Sequence, residues 1–340
     1  MPERTAKRSK SAKTYALNVC LVLASVVVAV IVAEVCVRFF YPYTRDHVVP
    51  AGLFRLNTDL GWSLTSNAMR VHRTRYFETA YETNRFGYRD KPRGRERTPG
   101  TYRILLYGDS QIFGWGVELG KRMSDLLEQD IENLEVWNLA VPGYGLDQQI
   151  VSYHLDGGSF DADEVLLFVS AKTLWRMRKS FLYAKYKPQF YIGSEGTLEI
   201  LPIPEGRNAA LSAIYRTISP LYLPYFLQRK LSQLRSSADM RKPGPNAKRS
   251  LGVEFGQLER RVLRKAKTTA ESRNQKLSII ANLNESLMKA LKQFCRAEGI
   301  AVYGIASRSG AERFGPHDWH WNVAGNKNMA AEIQAMITLP

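Results

Sequence analysis

Twenty consecutive residues, Thr14 to Ala33, carry no charge, and a helix over them at about 1.5 Å per residue covers the roughly 30 Å hydrocarbon core of a bilayer. The run YALNVCLVLASVVVAVIVA is therefore read as a transmembrane helix, with residues 14–40 as the anchor and residues 14–33 as the part that meets the membrane. Glu34 and Arg38, four apart at its far end, can pair, and Phe39, Phe40, Tyr41 and Tyr43 suit an interfacial aromatic belt. Residues 1–13 hold Arg4, Lys7, Arg8, Lys10 and Lys13 against Glu3, and positive charge favours the cytoplasmic side. The expectation is a basic cytoplasmic tail over 1–13, a single pass through a cell inner membrane, and a periplasmic or otherwise extracytoplasmic C-terminal domain. A signal peptide has a shorter apolar core of about 7–15 residues and a small-residue cleavage site, neither of which this run offers. A buried core helix is the other alternative to an anchor.

Lys and Arg number 48 against 32 Asp and Glu in 340 residues, a formal charge of +16. Much of that excess sits in one place: residues 229–276 hold 14 basic and 4 acidic side chains. No aromatic-rich RNA motif or zinc-finger spacing accompanies it, so nucleic acid is not expected, and an anionic polymer or lipid surface is the partner that 229–276 suits. Cys20, Cys36 and Cys295 are too few for a disulfide framework and match no zinc pattern, so neither a metal nor a cofactor is expected. The balance of 45% hydrophobic and 24% charged residues excludes a wholly disordered or multi-span chain.

Beyond a polar, arginine-rich stretch, residues 41–100 read as a linker and N-terminal extension. From there short apolar runs recur: TYRILLYGDS, LEVWNLAVPGYG, EVLLFVSAK, KLSIIANL and IAVYGIAS. Each has strand length, and helical patterns such as Lys121 to Ile131 and Glu285 to Ala297 lie between several of them. Strands alternating with helices argue for a parallel sheet covered on both faces, which binds ligands beyond the carboxyl ends of its strands. Residues 101–340 are taken as one domain with an insertion over 176–276. Within the insertion KPQFYIGSEGTLEILPIP reads as a hairpin around Gly193 to Gly196, and ADMRKPGPNAKRS as a loop.

Two places could carry chemistry. Gly108-Asp109-Ser110 follows the first buried strand, where a serine stands at the exposed end of a parallel sheet; the bland alternative is a turn in which Asp109 or Ser110 caps a helix. Near the far end, FGPHDWHWNVAGNKNMAAEI places Asp318 and His320 just before a helical pattern. Attack by a serine requires a base to take its proton and a carboxylate to hold that base, roles His320 and Asp318 can fill for Ser110. The alternative is that Asp318 or Asn322 caps the last helix while His320 packs beside Trp319 or Trp321. His317 is the poorer base candidate.

The order YGDSQIFGWGV, NLAVPGYGLDQQ, DWHWNVAGNKNMA resembles the SGNH (GDSL-type) hydrolase superfamily, in particular its membrane-anchored bacterial cell-envelope subgroup. The resemblance implies a flavodoxin-like three-layer α/β/α sandwich with about five parallel strands, and ester hydrolysis or acyl transfer. It implies Ser110 as nucleophile and first oxyanion donor, Gly143 as second donor, His320 as general base and Asp318 as its partner. The family's third block normally supplies an asparagine, but FVSAKTLW puts Lys172 and Thr173 there. Lys172 is read as a surface lysine, with a charge offered to the oxyanion as its other reading. Asp318 lies two residues before His320, where the family commonly has three.

The function expected is that of a membrane-anchored serine esterase or O-acyltransferase acting on an acylated extracytoplasmic substrate, a cell-envelope polysaccharide being the substrate that fits best. The alternatives are a catalytically degenerate SGNH domain that binds glycan or scaffolds an assembly, which Lys172 motivates, and a basic tethered interaction protein.

Overall fold

The computed structural model describes residues 3–42, 48–218, 221–227, 230, 254–308, 310–316 and 318–337. The loop expected within 238–250, most of the basic tract over 229–276, and His317 lie outside the described residues. The chain divides into two units: residues 1–47 with 215–246, and residues 48–214 with 247–340.

In the first unit, α1 (Glu3–Phe40) contains the stretch Ala12–Phe40, long and apolar enough for a transmembrane span or a signal sequence, with none of its most apolar window buried.

The second unit is built on a five-stranded parallel sheet of β5 (Tyr102–Tyr107), β6 (Leu134–Asn138), β7 (Glu164–Ser170), β12 (Lys276–Asn282) and β13 (Ala301–Gly304). These are the five apolar runs picked out above. Their spatial order is β13-β12-β7-β5-β6, so the first strand in the chain lies between the second and the third. That is the flavodoxin-like doubly wound order, whose reversal point beside the first strand opens a crevice at the carboxyl edge.

Alternate residues of each strand enter separate cores on the two sheet faces. Leu105, Leu167 and Ile279 pack under α4 (Leu146–Asp156), α7 (Gln257–Ser272) and α8 (Glu285–Glu298). Ile104, Leu166 and Ile280 pack under α2 (Ser110–Phe113), α3 (Met123–Asp130) and α9 (Val323–Gln334). The helices start and stop on local signals: Asn284 and Asn322 cap α8 and α9 through their side chains, and left-handed Gly299 ends α8.

Two expected boundaries are corrected. Residues 48–100 belong to the compact unit, because two antiparallel hairpins fold there: β1 (Phe54–Asn57) with β2 (Gly61–Leu64), and β3 (Met69–Arg73) with β4 (Glu78–Glu82). The insertion expected over 176–276 ends earlier, because α7 buries Val262, Leu263, Ala266 and Ala270 against the sheet. Five Lys and Arg on that helix's other faces hide the apolar stripe in the sequence. Between α5 (Ala171–Met177) and α7 come two small hairpins and α6 (Arg207–Ile218): β8 (Phe181–Leu182) with β9 (Lys185–Tyr186), and β10 (Gln189–Ile192) with β11 (Leu198–Leu201). The second is the hairpin expected around Gly193 to Gly196.

Candidate active site

Ser110 is the first residue of α2, which begins two residues after β5. Gly108 is required in the turn between them, since a Cβ there would lie 2.4 Å from the Ile112 side chain. Asp109 caps α2 by accepting from Gln111 N–H at 2.9 Å, and its second carboxylate oxygen accepts from buried Arg176 at 2.6 Å. The Asp109 cap and Ser110 thus divide the work, one holding the turn and one left at its tip.

Asp318 and His320 sit on β15 (Asp318–Trp321), which pairs antiparallel with β14 (Arg313–Gly315). In extended backbone, residues two apart point to the same side, so the two-residue spacing brings this carboxylate to this imidazole. His320 Nδ1–H donates to Asp318 Oδ1 at 2.7 Å, which leaves Nε2 as the acceptor for the Ser110 hydroxyl at 2.8 Å. All three side chains are buried, Asp318 completely. Asn322, and not Asp318, caps the last helix. Gln111 accepts from Trp321 N–H at 3.0 Å, tying the serine turn to the histidine strand across the chain.

Gly143 follows β6 with φ +88°, and a Cβ on it would lie 3.0 Å from the Tyr183 ring. Trp62, reaching over from the first hairpin, donates to Pro142 O at 3.1 Å and accepts from the Tyr144 hydroxyl through its own carbonyl at 2.7 Å, bracing the loop. Among the described residues, neither the Ser110 N–H nor the Gly143 N–H donates to a protein acceptor.

The sequence offered Trp319 as a neighbour of His320, whereas Trp115, Arg176 and Tyr183 were not anticipated from it. Trp115 and Trp319 both stack on the His320 ring, with centroids 5.0 and 4.9 Å away and planes within 22° and 19° of parallel. Trp115 stands in the GWG stretch of the serine block, and that block was the signal that could have found it. Arg176, one turn of α5 beyond Lys172, also bonds Tyr144 O and the Tyr183 hydroxyl at 3.2 Å each. Tyr183 and Ala184 form the two-residue turn between β8 and β9 with φ +52° and +57°, a conformation that Asn-Gly adopts with less strain.

Lys172 is not a surface lysine. It is the second residue of α5, half-buried at the carboxyl edge of the sheet, with its ammonium on the Trp319 ring face. Burial and then Arg176 push its amine down to about 7, against the opposite pull of Asp109. Below about pH 7 the folded chain carries an ammonium that the unfolded chain hydrates better, so Lys172 costs stability there. The cost fades between about 7 and the ordinary lysine value of 10.5, where the unfolded chain also loses its proton. Lys172→Met is therefore expected to raise the melting temperature at pH 6 and to lose most of that gain at pH 10. An equal gain at both values would show that the charge is not the cause.

No protein-family model matches the chain, and no curated protein matches it. Among solved structures, a member of the lipolytic protein G-D-S-L family from Veillonella parvula is similar over 71% of this chain and 100% of its own, at 14% identity and a TM-score of 0.37. The psychrotrophic esterase EstA from Pseudoalteromonas sp. is similar over 68% of this chain and 94% of its own, at 10% identity and a TM-score of 0.38. The chemistry is therefore read from this chain's own side chains.

Proposed function

We propose that the chain is a membrane-anchored serine hydrolase of the SGNH type, an esterase or O-acyltransferase working on an acylated extracytoplasmic substrate such as a cell-envelope polysaccharide. The observation that carries this reading is the unbroken hydrogen-bonded line from Ser110 through His320 to Asp318 at the carboxyl edge of the parallel sheet. Ser110 Oγ attacks the ester carbonyl while His320 Nε2 takes its proton, and Asp318 holds the imidazole in the tautomer that can do so. The same imidazole then returns the proton to the leaving alkoxide. Water or a sugar hydroxyl, deprotonated in turn by His320, takes the acyl group from Ser110.

Negative charge develops on the carbonyl oxygen, and the N–H groups of Ser110 and Gly143 are the donors offered to it; losing one such donor typically costs about 10²–10³ in rate. Where the family has a third donor from asparagine, this site has Lys172. Its ammonium, when protonated, adds positive charge to the same edge of the sheet. The stacked indoles of Trp115 and Trp319 favour the imidazolium that forms as the serine is deprotonated, because an aromatic face attracts a cation. Orientation in the membrane follows the basic residues of 1–13, and the extracytoplasmic location of the site follows from that orientation.

A fluorophosphonate, which phosphonylates activated serines, tests the reading. Native protein is expected to label and Ser110→Ala to stay unlabelled. A folded native protein that resists the probe would favour the catalytically degenerate alternative.

A further inference from the structure

Within the first unit, residues 221–227 lie against the last turns of α1. One stripe of that helix, Glu34, Val37, Arg38 and Tyr41, follows the i, i+3, i+4, i+7 spacing of a single face. Glu34 and Val37 are buried to 9% and 6% exposure, while their neighbours Val35, Phe39 and Phe40 remain 59%, 78% and 68% exposed. Arg38 and Tyr41 remain 49% exposed, yet the whole stripe meets the segment residue by residue. Glu34 accepts from Tyr222 N–H at 2.8 Å and from Leu223 N–H at 2.8 Å, and Arg38 donates to the same carboxylate at 2.7 Å. The Arg38 guanidinium lies 5.0 Å from the Tyr222 ring centre, and Tyr41 packs on Phe226 at 4.8 Å.

This arrangement makes sense in a solvent that supplies no hydrogen bonds. Residues 223–227 are helical, and the first N–H groups of a helix have no partner within it. In water such groups need none from the protein, but in lipid each orphan is costly. Pro224 removes one donor from that first turn, and the Glu34 carboxylate takes those of Tyr222 and Leu223. Glu34 in turn is a carboxylate at the end of an apolar helix, expensive in a membrane unless it is paired. Each removes the other's penalty. Around them, Tyr41, Tyr222, Tyr225 and Phe226 supply aromatic rings of the kind that gather at the membrane interface, and Lys230 stands over Tyr41 and Phe226 at 6.0 and 5.6 Å, where lipid phosphates would meet it.

We propose that residues 221–227 are a second membrane element, an aromatic turn seated on the end of α1 in the headgroup region, latched by Glu34 and covered by lipid. The chain thus meets the bilayer twice, once through α1 and once through a segment nearly two hundred residues further on. The proposal rests on α1 being a retained span, and the experiment separates the two.

The full chain carries Cys20→Ser and Cys36→Ser, keeps buried Cys295, and receives one new cysteine bearing an environment-sensitive fluorophore. It is reconstituted in phosphatidylcholine–phosphatidylserine vesicles containing lipid spin-labelled near the headgroup or, separately, in mid-chain. Three sites are compared: Leu227→Cys, Val26→Cys within the span, and Glu195→Cys on the exposed hairpin. The label at 227 is expected to be blue-shifted and quenched by the headgroup nitroxide, the label at 26 by the mid-chain nitroxide, and the label at 195 by neither. Adding Glu34→Ala is expected to return the 227 label to a water-like spectrum and leave the 26 label unchanged. A water-like 227 label beside a quenched 26 label overturns the second element; water-like emission at both overturns the span beneath it. Quenching at 227 that survives Glu34→Ala overturns the latch.

Discussion

Ser110→Ala and His320→Ala are each expected to lower turnover of an activated ester such as p-nitrophenyl acetate by about 10⁴–10⁶, and the double variant is expected to fall no further. The reason lies in the hydrogen-bonded line: the hydroxyl at 2.8 Å from Nε2 has no function as a nucleophile unless that nitrogen takes its proton. Once either partner is gone the other contributes nothing, so the losses do not multiply. Asp318→Asn is expected to cost about 10⁴ by leaving His320 free to adopt the wrong tautomer. Kinetics with folding checked by circular dichroism decide it. Multiplied losses in the double variant would mean that Ser110 and His320 do not act as a unit.

A large loss of stability is expected on removing Arg176. Its guanidinium and the Asp109 carboxylate form an ion pair with side chains only 6% and 2% exposed. Arg176→Met leaves a buried carboxylate without its cation, and breaking such a pair from one side costs about 3–5 kcal/mol. The same change releases Tyr144 O and the Tyr183 hydroxyl. Urea denaturation is expected to show the loss, and Asp109→Asn added to Arg176→Met is expected to recover part of it, because the uncompensated charge is then gone. A double variant less stable than Arg176→Met alone would show that the Asp109 cap matters more than the charge.

The five sheet strands were readable because each is a short apolar run ending in a turn, and burial on both faces leaves no polar alternation to confuse the pattern. The hairpins of 48–100 were not readable, since FRLN buries none of its residues and MRVHR only His72, while the deeper burial falls on their partner strands at Trp62, Leu64 and Tyr81. Ser110, Asp318 and His320 could be named from their blocks. What joins them could not: Trp115 and His320 stack across some two hundred positions of sequence. Lys172 was misplaced on the surface because a lysine beginning a helix ordinarily faces water, whereas α5 begins at the carboxyl edge beneath Trp319.

The turn at Tyr183 and Ala184 sets two requirements against each other. Asn-Gly would relax both left-handed residues, yet it would also remove the ring that covers Gly143 and the hydroxyl that meets Arg176. A chain optimised for melting temperature alone would give up this phenol early. Thermal robustness and the shape of the wall over Gly143 are therefore in direct competition at position 183.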